Sequence, residues 1–512
     1  RLDVGGIDWC FTWGNLFGDR TGYIHGEIQS PEEMKKVNHQ PSWFTSKADV
    51  FRKYNYGENI SYAEDMDLWL RLYEHGYKGD VIKEELYLKR WHNESLTITH
   101  NSPVVSETPK HFRFHMLGYV HLPCSREYMA CAFTQKNYKL AQMLLSLGHE
   151  VFYYGSEGSD VPCTEFIQTH LLREIRETWG IGDNRYEIGY PWPETSFKHD
   201  FNTERTPLTK RFYTTCINEI NKRKKQDDFL LIMQGKYHKP IYDALKMPLS
   251  CEPGIGYRGS DRNNWRAFES HHTQSFSYAS EHPFEDINGN YFDRIIPNYF
   301  DPQDFEYGDT PDDYYLYIGR MIIRKGVWVA IQATEAIGAK LILAGQRDVE
   351  IDEKHLPNHC KFVGFADVEK RKKLMSHAIA TFTPTSYLEN FAGTHIESML
   401  SGTVPITTNF AVFPNTIPDY LNGKVGFRCD TLNDFVDAAK KAKNFAKEDR
   451  LFVRKYAERF LMDNVRWEFD KWFRDLYMWY ESTLDSNIKG WSRVNIEEPL
   501  WRKNLYWNTL TK

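Results

Sequence analysis

No stretch of this sequence approaches 18 consecutive apolar residues, so it offers no candidate membrane-spanning helix. It also lacks a Cys-x-x-Cys pair. Its 8 cysteines lie scattered at 10, 124, 131, 163, 216, 251, 360 and 429, which reads as reduced thiols in a cytoplasmic protein. A basic surplus is missing too: 64 Lys and Arg stand against 70 Asp and Glu, a formal charge of −6. That balance argues against a nucleic-acid or anionic-membrane partner, whose footprint is normally basic. The one dense basic run, Lys222-Arg223-Lys224-Lys225, reads as a solvated helix face. There is no secretory leader pattern, tandem repeat or low-complexity tract. The chain opens at Arg1 instead of Met, which leaves room for residues upstream.

What is present is an ordinary globular balance, 41% hydrophobic and 26% charged over 512 residues, enough for about three domains with packed cores. Aromatic residues are abundant at 15%, a load that serves packed cores and equally the stacking of sugars or bases.

A polar stretch from Asn93 to Pro109 separates the first compositional unit from the rest. Beyond it the pattern is strand, turn, helix, strand. Phe112 to Leu117 reads as a strand running into Gly118. A helix follows with Leu140, Leu144 and Leu147 on one face and Gly148 as its stop, and then a strand from His149 to Tyr154. This is the grammar of a parallel βαβ unit. It recurs in the apolar run 229–233, in 314–318 before a helix at 326–337, in 340–345, in 378–383, and in a helix at 393–401 before a strand at 404–408. The expectation is two successive α/β halves, 112–300 and 311–465, with Pro297, Pro302 and Pro311-Asp312-Asp313 between them. From 466 to 481, Phe469, Trp472, Phe473, Leu476, Trp479 and Tyr480 repeat at helical spacing and predict a long, heavily buried helix.

Chemistry-bearing residues gather in the later half. A strand ending at Gly319 is followed by Arg320 and Lys325 just before a helix, the place where parallel sheets bind anions. Arg320 offers a bidentate grip and Lys325 a point charge; taken alone, the two would also serve as a surface pair. Glu389 and Glu397 stand eight residues apart, about two helical turns, with Glu389 in the loop ahead of a helix opening near Ala392-Gly393. Carboxylates there suit sugar and ribose hydroxyls, although a capping Glu389 and an ordinary helix-face Glu397 fit the same pattern. Gly345 and Gly364 are glycine turns at strand ends, fit for backbone contacts to a base.

Together, Gly319-Arg320, Lys325, Gly345, Gly364, the Glu-x7-Glu pair with Phe391, and Ser401-Gly402-Thr403-Val404-Pro405 resemble the donor domain of glycosyltransferase family 4. The resemblance covers about 112–481. It implies a retaining enzyme of the GT-B fold: α/β, two facing Rossmann-like domains with the active site between them, and a C-terminal crossing helix. It further implies that Arg320 and Lys325 hold the diphosphate of a UDP-, GDP- or ADP-sugar donor. Glu397 would bind ribose, Glu389 the donor sugar, and Phe391, Ala392 and Gly393 would present backbone amides. The family usually carries glycine where this chain has Ala392. No metal is required in this reading. On the acceptor side Gly118 resembles the loop that approaches the donor phosphates. Glu252 to Gly259, with Gly254, Gly256 and Tyr257, reads as a glycine-rich loop shaping the acceptor cleft, and His271 or His272 as a cleft histidine or an ordinary one. The acceptor is expected to be a glycan, a lipid-linked molecule or a protein.

A second resemblance covers about Asp8 to Thr97, in a module expected at 1–97. Glu64-Asp65, with Gly76-Tyr77 and Leu86 to His92, is similar to the acceptor-side half of a family 2, GT-A glycosyltransferase. It implies a general-base role for Asp65 and a place near a metal for His92, in a partial module whose nucleotide-binding half does not precede it here. Residues 98–111 are then a linker, 112–300 the acceptor domain, 311–465 the donor domain, and 466–512 the crossing helix and an aromatic tail. Two rivals share these features: a sugar-nucleotide epimerase or hydrolase of the same fold, and a non-catalytic nucleotide- or glycan-binding subunit.

Overall fold

The computed structural model describes residues 111–126, 131–179, 205–281, 292–346 and 355–484, and the backbone of four earlier strands. The chain divides into two compact units, Arg1–Lys110 and His111–Lys512. In the first, β1 (Trp9–Gly18) pairs antiparallel with β2 (Gly22–Ile24) and β3 (Thr45–Ser46), and parallel with β4 (Gly79–Trp91). Asp65 and His92, on which the GT-A resemblance rests, lie outside the described residues, as does the Trp-rich tail.

The second unit holds two wholly parallel sheets. The first has seven strands: β5 (Arg113–Leu117), β6 (Glu150–Ser156), β7 (Glu165–His170), β8 (Phe229–Leu231), β9 (Leu249–Ile255), β10 (Trp265–Phe268) and β11 (Arg294–Ile295), in the order β11-β10-β9-β8-β5-β6-β7. Helices α1 (Ala132–Ser146), α2 (Pro207–Arg223) and α3 (His271–Glu281) connect them. Side chains alternate between the two faces, as strands covered on both sides require. Phe114, Met116, Val151, Tyr153, Phe229 and Leu231 enter one core; Leu117, Phe152, Tyr154 and Leu230 enter the other.

The second sheet has six strands: β12 (Tyr315–Ile318), β13 (Leu341–Ala344), β14 (Cys360–Phe362), β15 (Ala380–Thr383), β16 (Val404–Thr408) and β17 (Phe427–Cys429), ordered β14-β13-β12-β15-β16-β17. Here α4 (Val327–Ala336) follows β12, and α5 (Gly393–Leu400) runs between β15 and β16. Strand order reverses beside β12, so the loops after β12 and β15 open at a topological switch point.

The long terminal helix α6 spans Met462–Leu484, longer at both ends than its apolar repeat. Its Val465, Phe469, Trp472, Phe473, Leu476 and Tyr480 belong to the core of the first half, not the half it follows. The two crossings between halves run side by side: Phe300 N–H donates to Phe460 O at 3.0 Å and Met462 N–H to Phe300 O at 2.9 Å. The fold is thus two facing Rossmann-like halves tied by a crossing helix, the GT-B arrangement. No helix among the described residues is long and apolar enough to cross a membrane.

One expectation needs correction. Glu252-Pro253-Gly254 is not a loop: β9 continues through Ile255. A central strand tolerates Pro253 because the ladder to β10 is bulged there, stepping from Glu252↔Arg266 to Ile255↔Phe268, with Gly254 at φ +72°. The loop begins only at Gly256.

Candidate functional site

The cleft between the halves contains a cavity of about 290 Å³. Its donor-side wall is built at the carboxyl ends of β12 and β15. Gly319 ends β12 with φ +153°, and Arg320 and Lys325 lie in the turn before α4. That turn is anchored to the loop after β15, since Arg324 O accepts from Ser386 N at 3.0 Å and from Thr385 Oγ1 at 3.1 Å. Glu389 in the same loop is buried and forms an ion pair with Lys325. Arg320 stands exposed at the cavity edge.

Phe391, Ala392, Gly393 and Thr394 line the cavity at the start of α5. Ala392, at the N-cap, makes no side-chain cap and sits in left-handed backbone at φ 58°, ψ 58°. The first N–H groups of a helix have no partner inside it, and here no side chain takes one up. Positive partial charge therefore points into a cavity already holding a lysine and an arginine.

The opposite wall comes from the first half: Ala132, Phe133 and Lys136 of α1, Gly256, Glu269 and Asn298. Lys136 forms an ion pair with Glu269 and donates to Gly254 O at 2.9 Å. Asn390, next to Glu389, spans the cleft. Its Nδ2 donates to Gly256 O at 2.5 Å, and its Oδ1 accepts from Thr273 Oγ1 at 3.3 Å.

The cavity thus brings together Gly256, Gly319, Arg320, Lys325, Glu389, Phe391, Ala392 and Gly393 from the sequence-derived set. Other members lie elsewhere. Gly118 packs against Tyr153 and Tyr154, where a Cβ would overlap the Tyr154 carbonyl. Gly345 donates to Gly364 O at 2.9 Å, two turns closed on each other behind Gly319. Glu397, on α5, faces Arg371 at 3.4 Å and lies outside the cavity lining. Glu252 is fully buried and accepts from Tyr257 Oη, Asp261 N and Asn264 Nδ2, each at 2.8 Å. Burial raises its pKa to about 7 against those bonds. It shapes the following loop without reaching the cavity, and Gly254 and Tyr257 share that supporting position. His271, exposed, and His272 open α3 outside the lining.

No sequence pattern assigns a role to Lys136, Glu269 or Asn390. Lys136 reads as one polar residue on an amphipathic helix, and Glu269 carries no motif.

The donor side of this site falls within a family match. Residues 302–459 match the family described as glycosyl transferases group 1. That span includes every donor-side residue named above. Similar folds occur in sucrose-phosphate synthase from Thermosynechococcus elongatus (16% identity, 72% of this chain, 99% of that one, TM-score 0.50). Another is Anabaena HepE, solved with UDP and glucose (12% identity, 71% and 100% coverage, TM-score 0.49). No curated protein matches the sequence.

Proposed function

We propose that this chain transfers a sugar from a nucleoside-diphosphate sugar to an acceptor hydroxyl, with retention at the anomeric carbon. The observation that carries the reading is the meeting of Arg320, Lys325 and Glu389 in one cavity beneath the uncapped start of α5. In the net reaction the bond from anomeric carbon to diphosphate oxygen breaks, and a bond from that carbon to the acceptor oxygen forms. Nucleoside diphosphate and the hydroxyl proton are released. Charge grows on the leaving diphosphate, so fixed cations and N–H donors placed there lower the barrier most. Arg320, Lys325 and the amides of Phe391 to Thr394 fill that role. Glu389 takes the donor sugar's hydroxyls, exchanging part of its bond to Lys325 for them, and Glu397 takes ribose. Gly319 supplies close backbone approach to the nucleotide, and the Gly345 and Gly364 turns back it from behind. The group 1 glycosyl transferase match supports the transferase reading; retention rests on the Glu-x7-Glu resemblance.

The donor is a UDP-, GDP- or ADP-sugar and the acceptor a glycan, lipid-linked molecule or protein. The thiols of Cys124, Cys131, Cys163, Cys216, Cys360 and Cys429 form no disulfide among the described residues and fit a cytoplasmic setting. The test is thermal shift and nucleoside-diphosphate release with a panel of these donors. Stabilisation and release with one donor base support the reading; stabilisation by none overturns it. Isomerised donor in place of transferred sugar identifies an epimerase.

A further inference from the structure

The wall facing the donor side carries an ion pair that the donor reading does not use. Lys136 and Glu269 both line the cavity, yet both are nearly enclosed, with side chains 11% and 5% exposed. They come from unconnected elements, α1 and the turn between β10 and α3. Burying two charges at a cleft wall is costly unless something recovers the desolvation. Neighbouring backbone packs so close against the pair that only glycine fits there. Gly256 is the residue where a Cβ would overlap the Glu269 carboxylate and crowd Lys136 Nζ. Its carbonyl meanwhile accepts from Asn390, which holds this wall at a fixed place opposite Glu389.

We propose that Lys136 and Glu269 form the acceptor subsite and take a neutral polyhydroxyl group, a polyol or carbohydrate, not a phosphorylated or carboxylated end group. This rests on the transferase reading. Three features point to that chemistry. The charged side chains on this wall are one lysine and one glutamate, a neutral pair, whereas the donor wall carries Arg320 and Lys325 against Glu389. Lys136 is committed to Glu269 and Gly254 O, so an acceptor anion meets the Glu269 carboxylate without an unengaged cation beside it. A hydroxyl, by contrast, donates to Glu269 and lets the pair stay intact. Phe133, half-buried in the same wall and braced by Tyr119 at 5.7 Å, offers a flat apolar surface to the C–H groups of such an acceptor. Both residues act by positioning the acceptor oxygen opposite the anomeric carbon, where small displacements cost rate steeply.

The test uses the full chain, its preferred nucleotide sugar, and glycerol as surrogate acceptor, with glycerol 1-phosphate as the anionic comparator. Three variants are made: Glu269→Gln, Lys136→Met and the double substitution, which removes the pair without stranding a charge. The expected result is a rise of about tenfold or more in the glycerol concentration giving half-maximal transfer, the loss of one charge-assisted hydrogen bond. It persists in the double variant, while the thermal shift given by nucleoside diphosphate stays as in wild type. Wild type prefers glycerol to glycerol 1-phosphate, and Glu269→Gln narrows that preference. A double variant with native glycerol dependence shows a merely structural pair and overturns the subsite alone. So does loss of the nucleotide shift in the double variant, or wild-type preference for the phosphate. Wild type that binds nucleotide yet transfers to neither alcohol overturns the transferase reading, and the subsite with it.

Discussion

His149 Nε2 donates to Asp470 Oδ1 at 3.1 Å, joining the turn before β6 to the crossing helix α6. The tautomer is fixed from the other side, because His149 Nδ1 accepts from Phe112 N–H at 3.2 Å. Burial opposes ionisation of Asp470, but bonds from His149 and Arg474 outweigh it and hold its carboxyl below the ordinary 3.8. A depressed carboxyl pKa stabilises the fold above the unfolded value and loses that effect as pH falls through the folded one. Asp470→Asn is therefore expected to cost about 1–3 kcal/mol at neutral pH, the scale of a charged buried bond. The gap from wild type should close below pH 3.8, which denaturant melts at both ends of the range would show.

A second acid sensitivity comes from buried histidines. Desolvation lowers the pKa of His121 and His238 to about 3, and of His170 and His395 to about 4, from 6.5. The unfolded chain takes up protons at these positions below pH 6.5 and the folded one does not, so stability must fall as pH drops from there. Each contributes about 1.4 kcal/mol per pH unit at most. Melting temperature measured from pH 7 to 5 should decline throughout; a flat profile contradicts the burial of these rings.

Ala392 occupies a backbone conformation that L-residues other than glycine adopt at a cost of about 1–2 kcal/mol. Ala392→Gly should raise stability by up to about 1 kcal/mol, the relieved strain exceeding the added freedom of the unfolded chain. Nucleotide-induced thermal shift should survive it. Ala392→Val should lower both.

Gly345 has the opposite requirement. Its φ is +133°, and a Cβ there would overlap the Gly319 carbonyl. Gly345→Ala is expected to push the Gly319 turn outward and lower nucleotide affinity by about tenfold or more, a displacement effect of the size small misplacements produce. Titration calorimetry with nucleoside diphosphate reads it directly.

Arg320→Ala, Lys325→Ala and Glu389→Ala should each reduce turnover more than about tenfold with the fold intact, as removal of a charge-stabilising group does. Treatment with EDTA should leave turnover unchanged, since Arg320 and Lys325 carry the diphosphate charge in this reading. Near-native activity in all three variants contradicts it.

Much of this architecture was legible because buried parallel strands write themselves as apolar runs closed by glycine. Val404–Thr408 and the helix opening at Gly393 appear where the pattern places them. At Pro253-Gly254 turn-forming residues mark a bulge inside a central strand, which only the pairing ladder reveals. On the donor side the candidate residues fall within one half, between Gly319 and Glu397, where each spacing is ambiguous alone and the family resemblance draws them together. Lys136 and Glu269 are separated by most of the first half and share no motif. Their meeting depends on where α1 sets Lys136, against the Gly254 carbonyl of β9 and the turn after β10, which no local pattern encodes.

The crossing helix also sets a timetable for synthesis. Phe112, Phe114 and Phe229 leave the ribosome early, yet they share a core with Phe469, Trp472 and Phe473, among the later residues to emerge. Until then the first half lacks the α6 side chains of its core, while the second can close its own core of Tyr315, Phe382 and Ile406 first. The nascent chain thus matures from the middle outward, and a premature stop before Met462 leaves the first core incomplete, a site for chaperones or aggregation.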